Sequence, residues 1–373
     1  MNWTHKLSLL ADLFRLRLKP LPSGERSGNL IIRLDRIGDF VLFAPFLPAF
    51  LRRGEDNTLL ANALWAECCR KLFPELRVVP VSPGAFLADP GLRRHLLHLT
   101  RSFRAARVFQ ARFYRELLVE ELLYAASGTR ECRRFEATSL HLQAPLLKLL
   151  EFPASAEAPF LPGEHELERN ARFAAFCTPG FKAENPWLAR PFAPAELLRG
   201  KKYVCVFPGS GKGAFCRWPA EKWAEVLRKL DLPHYVITGT PGEAPLLRQI
   251  AGMLPEKRAT VLSDLTVEEF IGTVSRAEGA LGMDTGGIHI AAMSGVPSVA
   301  VTGLGQPGWF LPYPEKLPVP GAVPPVTVSA DLPCKNCFWH CRDLKEGVCR
   351  CIAEITADQV AEAAGKSSFS AFR

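Results

Sequence analysis

The 373-residue chain has no uninterrupted apolar run near the roughly 18 residues a membrane-spanning helix needs, and its start lacks the apolar core and cleavage site of a signal peptide. The expectation is a cytoplasmic protein. It also lacks a Lys/Arg block and any basic repeat interleaved with aromatics, so nucleic acid is not an expected partner. No DxD-like motif stands in a convincing loop, which agrees with chemistry that needs no divalent metal. What is present is 48% hydrophobic residues, enough for two cores, and a net charge of +8 that suits an anionic partner such as a nucleotide or a phospholipid surface.

The stretch LIIRLDRIGDFVLFAP, residues 30 to 45, shows how charge enters this apolar chain. Residues 30 to 34 suit a buried parallel strand, Gly38 a close turn, and residues 40 to 50 the apolar face of a following helix. Asp39 then falls in the first helical turn at the rim of a sheet, where it either caps the helix or faces a ligand. Asp35, four residues earlier, either orients Asp39, contacts a ligand, or pairs with Arg33 or Arg36. The first twenty residues place Trp3, Leu7, Leu10, Leu13, Phe14 and Leu18 at helical spacing. Such a helix either packs on its own domain or lies as an amphipathic helix on an anionic membrane.

Further along, residues 76 to 82 read as a strand and residues 101 to 126 as one or two helices with a basic face of Arg101, Arg104, Arg107, Arg112 and Arg115. A Pro- and Ala-rich stretch from about 153 to 196 marks a domain junction, giving domains of 1–190 and 191–373. The second half repeats one unit: strand, glycine turn, helix. Strands are expected at 202 to 207 and 234 to 238 and within EGALGMDTGGIHIAAMSGVPSVAVTG, and a helix opened by Pro219. That repetition predicts α/β domains with parallel sheets.

The turn GSGKG, 209 to 213, has neither dinucleotide-fingerprint nor P-loop spacing. It is a loop after a strand whose backbone donors, with Ser210, Lys212 and Arg217 nearby, suit an oxyanion; the plain alternative is a tight turn with incidental charges. In MDTGGIHIAAMSG, Asp284 and Thr285 precede two glycines at a probable helix start with His289 on its first turn, as a ligand loop or as a cap and a core histidine.

Taken together, IIRLDRIGD (31 to 39), FPGSGKGAFCRWPAEKW (207 to 223), TGTPGE (238 to 243), the segment 265 to 303 and CRCIAEITADQV (349 to 360) make the chain resemble the lipopolysaccharide heptosyltransferases, glycosyltransferase family 9, over nearly its whole length. The resemblance implies a GT-B fold: two Rossmann-like domains with parallel sheets facing across a cleft, acceptor on the N-terminal side and nucleotide-sugar on the C-terminal side. It implies an inverting, metal-independent transfer of a sugar, heptose from ADP-heptose, to a lipopolysaccharide core or related glycan or glycolipid acceptor. Work at the cytoplasmic face of the inner membrane would go with that acceptor. A nucleotide-binding relative that transfers nothing, or an enzyme using another nucleotide-sugar, are the alternatives. By this likeness Asp39 is the general base, Gly209, Ser210 and Gly211 surround the donor phosphates, Glu243 contacts the nucleoside, and Asp284, Thr285, Gly286 and His289 form the donor loop. One position departs. Where many relatives carry a lysine two places before the tryptophan, this chain has Cys216, so either Arg217 or Lys212 supplies the cation or the donor is held differently.

Five of the eleven cysteines lie in CKNCFWHCRDLKEGVCRC, residues 334 to 351. In a cytosolic protein that density suits a structural thiolate metal site, Zn²⁺ or iron held by Cys334, Cys337, Cys341 and Cys349, with Cys351 as substitute and His340 as a weaker ligand. Reduced thiols or one redox pair are the other reading. No cofactor is required for catalysis on either.

Overall fold

The computed structural model of the chain describes residues 3–18, 24–136 and 151–367. They divide into two compact units, one of Met1–Phe40, Phe46–Pro162 and Asn170–Lys182, the other of Val41–Pro45, Gly163–Arg169 and Ala183–Arg373.

The first unit is built on a six-stranded parallel sheet of β1 (Asn29–Arg33), β2 (Thr58–Asn62), β3 (Arg77–Val81), β4 (Arg107–Gln110), β5 (Cys132–Phe135) and β6 (Ala156–Ala158), in the order β3-β2-β1-β4-β5-β6. All five residues of β1 are buried, as expected of a central parallel strand covered on both faces. The N-terminal helix Trp3–Leu18 belongs to this core. Leu9 and Leu13 are buried among Leu96, Leu97 and Leu122, and buried Asp12 pairs with Arg93 at 2.8 Å. The reading of this helix as packed on its own domain therefore holds for the face those residues occupy. Among the described residues no helix is long and apolar enough to cross a membrane.

One expectation fails here. Residues 101 to 126 do not present a basic helix face: the helix Pro90–Ser102 ends, β4 intervenes, and a new helix, Leu117–Ser127, begins after a loop. Val108, Phe109 and Gln110 are buried in the sheet, and an apolar run of that length cannot be told from a helix by periodicity alone. Gly38 likewise lies inside the helix Ile37–Phe43, the connection from β1 being made by residues 34 to 36.

The second unit repeats the architecture. Strands β7 (Val204–Phe207), β8 (Tyr235–Thr238), β9 (Ala259–Leu262), β10 (Gly279–Met283), β11 (Ser298–Val301) and β12 (Val326–Val328) pair in parallel in the order β12-β11-β10-β7-β8-β9. Both orders are those of a doubly wound sheet, with reversals between β1 and β4 and between β7 and β10. Beneath the second sheet Trp218 and Trp223 meet edge to face at 4.9 Å, both fully buried, and the Trp218 indole N–H donates to the Ile355 carbonyl at 3.0 Å. That contact ties the C-terminal segment to the strand-helix unit that follows β7. Trp218→Ala should cost about 3–5 kcal/mol of unfolding free energy, read from urea denaturation, because it leaves a large cavity in the core.

Candidate functional site

At a strand-order reversal the connections leave in opposite directions and open a crevice beyond the carboxyl ends of two strands. In the second unit those ends are Phe207 and Met283, and the chain continues from them into Pro208–Gly213 and into Asp284 and Thr285. The glycine loop is held by its own atoms: buried Ser210 accepts the Lys212 N–H on its hydroxyl at 3.2 Å, and the Ser210 carbonyl accepts the Gly213 N–H at 3.4 Å. Gly213 takes φ of 107°, which a residue with a Cβ rarely adopts. The helix Gly286–Met293 starts close against β7, since a Cβ on Gly287 would come within 2.7 Å of the Phe207 ring. Its first N–H groups point out of the helix with no intrahelical acceptor, the usual condition of a helix N-terminus.

Across the crevice the Lys212 ammonium donates to Asp284 Oδ2 at 2.8 Å. Asp284 Oδ1 lies 3.7 Å from His289 Nε2. Burial alone would push the Asp284 pKa up, but Lys212 and His289 hold it well below the usual carboxylate range. Behind them His289 Nδ1 is 2.9 Å from the Tyr313 hydroxyl. Burial and the Asp284 charge keep that phenol protonated; because the Asp284 carboxylate can only accept, Nε2–H of the neutral ring faces Asp284 and the phenol donates to Nδ1. The His165 ring packs edge-on to Tyr313 at 4.8 Å. Its Nδ1 accepts from the Leu167 N–H at 3.1 Å, so Nε2 carries the proton donated to the Phe310 carbonyl at 2.8 Å. Thr285 carries a buried hydroxyl with no hydrogen-bond partner among the described residues, and so does the Arg217 Nε.

Of the residues singled out from sequence, Gly209, Ser210, Gly211, Lys212, Asp284, Thr285, Gly286 and His289 thus flank one reversal point. Glu243 joins them. It forms a capping box before the helix Ala244–Gly252, accepting the Thr240 N–H and hydroxyl at 2.8 and 2.9 Å, and its carboxyl group also fills the space over Gly209 that a Cβ would need. Arg217 follows Cys216, which is buried in the core with Trp218, and among the described residues it forms no ion pair with the crevice residues; Lys212 does.

In the first unit the corresponding ends are those of β1 and β4. Asp35 is buried and paired with the Arg33 guanidinium at 2.6 Å, and its carbonyl accepts the Trp65 indole N–H at 2.9 Å. The salt-bridge reading of Asp35 is the one observed. Asp39 is half-buried in the first turn of its helix. Arg112, two residues after β4, was read from sequence as a helix-face arginine; instead it pairs with buried Glu120 at 3.2 Å. Burial works against its charge, but Glu120, Asp35 and Asp39 outweigh it and raise its pKa. Sequence offered no sign of this, because the grouping depends on the β1–β4 pairing.

The cysteine-rich segment lies in the second unit. Cys334 is exposed, Cys337 and Cys341 are half-buried, and Cys349 and Cys351 are buried. Cys349 Sγ is 3.8 Å from Cys216 Sγ, and Cys351 Sγ accepts the Leu304 N–H at 3.4 Å. Among the described residues no three His, Cys, Asp or Glu side chains are arranged to hold a metal ion. Burial pushes the Cys216 thiol up to about 11, so it is protonated at neutral pH.

Residues 164–337 match the family model described as glycosyltransferase family 9 (heptosyltransferase). The fold is shared with Escherichia coli ADP-heptose lipopolysaccharide heptosyltransferase II at 16% identity and a TM-score of 0.63, over 91% of this chain and 97% of that one. It is shared with E. coli heptosyltransferase WaaC, solved with ADP-2-deoxy-2-fluoro heptose, at 15% and 0.62 over 91% and 99%. A family 9 glycosyltransferase from Veillonella parvula DSM 2008 matches at 16% and 0.65 over 93% and 98%. No curated protein matches the sequence.

The buried His165 provides a test of this packing. Burial lowers its pKa to about 4, against about 6.5 in an unfolded chain. Between those values the unfolded state binds the extra proton, so the stabilisation is full above about pH 6.5 and lost as pH falls toward 4. On moving from pH 7 to 4.5, wild type should lose about 2–3 kcal/mol more unfolding free energy than His165→Gln, measured in urea.

Proposed function

Because the chain carries a glycosyltransferase family 9 domain at residues 164–337, we propose that it is an inverting, metal-independent glycosyltransferase that moves heptose from ADP-heptose to a lipopolysaccharide core or related glycan. The observation that carries this is the Lys212–Asp284 pair between the glycine loop and the start of the helix Gly286–Met293. A diphosphate brings negative charge to a place where Asp284 is already ionised, so a cation must stand between them. Lys212 meets that need: it offsets Asp284 and still has ammonium protons to give. The backbone N–H groups of Gly209 to Gly211, the helix N-terminus and the unpartnered Thr285 hydroxyl add neutral donors. Glu243 contacts the nucleoside, and the acceptor is met where it lies on the cytoplasmic face of the inner membrane.

In the transfer Asp39 takes the proton of the acceptor hydroxyl. That oxygen bonds to the anomeric carbon from the face opposite the diphosphate, and the electrons of the breaking C–O bond leave with ADP. Charge grows on the leaving diphosphate during this step, so preorganised donors around it lower the barrier more than they tighten ground-state binding.

Purified protein should release ADP from ADP-heptose only when a suitable acceptor is present. Binding of ADP with no transfer in any pairing of nucleotide-sugars and glycan acceptors, followed by mass spectrometry, would instead make it a nucleotide-binding protein. Asp39→Asn should lower kcat by roughly 100-fold or more while ADP affinity stays near wild type, because only proton acceptance is lost.

The two candidate cations separate in the same assays. Lys212→Ala should weaken ADP binding and lower kcat, since the diphosphate is charged before transfer and more so during it. Arg217→Ala should leave ADP affinity closer to wild type. Calorimetry giving the reverse order would move the phosphate contact to Arg217.

A further inference from the structure

The Lys212 ammonium has a second neighbour besides Asp284: it stands 4.0 Å from the centroid of the Trp339 ring. Trp339 comes from the cysteine-rich segment, more than a hundred residues away in sequence, and several contacts fix its ring. Its indole N–H donates to Gln306 Oε1 at 3.1 Å, and the ring packs on Gly303 and Gly305, where an added Cβ would come within 3.1 and 2.6 Å of it. The neighbouring backbone is pinned to the same loop, Asn336 N–H donating to the Leu304 carbonyl and Phe338 N–H to the Gly305 carbonyl, both at 2.9 Å.

This placement is strained. Asn336, Phe338 and Trp339 have φ of 59°, 49° and 64°, a region that bulky side chains rarely occupy. Such backbone persists only where surrounding contacts over-determine it, and it concentrates at sites with a task. The cysteines contribute some of those contacts. Cys351 accepts from Leu304 at the loop beneath the ring, and Cys349 meets Cys216 just after the glycine loop. An aromatic face also suits the ammonium electrostatically. It attracts the cation without adding a formal negative charge that would cancel it.

We propose that Trp339 is a positioning residue for the donor site, its indole face holding the Lys212 ammonium beside Asp284 at the crevice between β7 and β10 so that the cation is in place when a nucleoside diphosphate arrives. The proposal rests on the donor reading of that crevice given above. It gives the cysteine-rich segment a part in binding through the tryptophan it carries.

The test is a double-mutant cycle on the full chain, with ADP binding followed by calorimetry. Trp339→Leu should weaken ADP about three- to thirtyfold, the range of a cation–π contact going from exposed to desolvated. Trp339→Phe, which keeps a π face, should recover part of the loss. In a Lys212→Ala background Trp339→Leu should change ADP affinity little, because the cation it positions is gone. Wild-type affinity in Trp339→Leu, or an equal loss in both backgrounds, overturns the role while leaving the donor reading intact. A wild-type chain that does not bind ADP overturns both. Should Trp339→Leu fail to fold, Trp339→Phe takes its place in the cycle with a smaller loss expected, and the same absence of coupling to Lys212 would count against the proposal.

Discussion

The ion pair between Lys212 and Asp284 sets the terms for everything around it in the second unit. Asp284 directly follows β10, and its carboxylate is largely enclosed by protein. A charge in that position needs a partner, or the group would take up a proton. Lys212 supplies it from the loop after β7, and His289 supports the other oxygen from the first turn of the next helix. The glycines then follow from steric need. Gly213 lets the loop turn, while Gly282 and Gly287 let the strand and the helix start press against Phe207. A side chain at either of the last two would separate the elements that bring Lys212, Asp284 and His289 together.

The first unit solves a similar problem with different charges. Its reversal point is lined by buried Arg33 and Asp35 and half-buried Arg112, and both arginines are matched by carboxylates. The Arg33 guanidinium also reaches the Ala111 carbonyl and the Asn170 side chain, so it joins β1, the end of β4 and the helix Glu166–Cys177. With Asp35 committed to Arg33, the half-buried Asp39 is the acid on the following helix that remains more accessible to solvent. Buried pairs of this kind contribute little net stability, because desolvation offsets their attraction. Their effect is to fix where charged groups sit.

Much of this was legible in the sequence because parallel strands and their turns are local events. A run of buried residues before Asp35, and the glycines Gly209 and Gly286 two and three positions after residues 204 to 207 and 279 to 283, mark strand ends wherever the strands pair. The misreadings all involve distance along the chain. Residues 107 to 110 looked helical since nothing local distinguishes a short central strand from a turn of buried helix. Cys216 gave no sign that its side chain belongs to the core beside Cys349, nor that Lys212, four positions earlier, pairs with Asp284. Trp339 and Tyr313 gave no sign of their neighbours, which lie 127 and 24 positions away in numbering and meet them only through the fold.

Tyr313 shows why such remote residues matter to the chemistry of near ones. A neutral imidazole has one N–H, and its place decides whether His289 supports the Asp284 carboxylate or opposes it. The ionised Asp284 carboxylate can only accept, which puts the ring proton of a neutral imidazole on Nε2 facing it and leaves Nδ1 to accept from the buried, protonated phenol. His165 backs that arrangement from the stretch Gly163–Arg169, its own proton committed to the Phe310 carbonyl. His289 is thus oriented by a phenol that burial keeps protonated, and His165 by backbone groups that do not titrate.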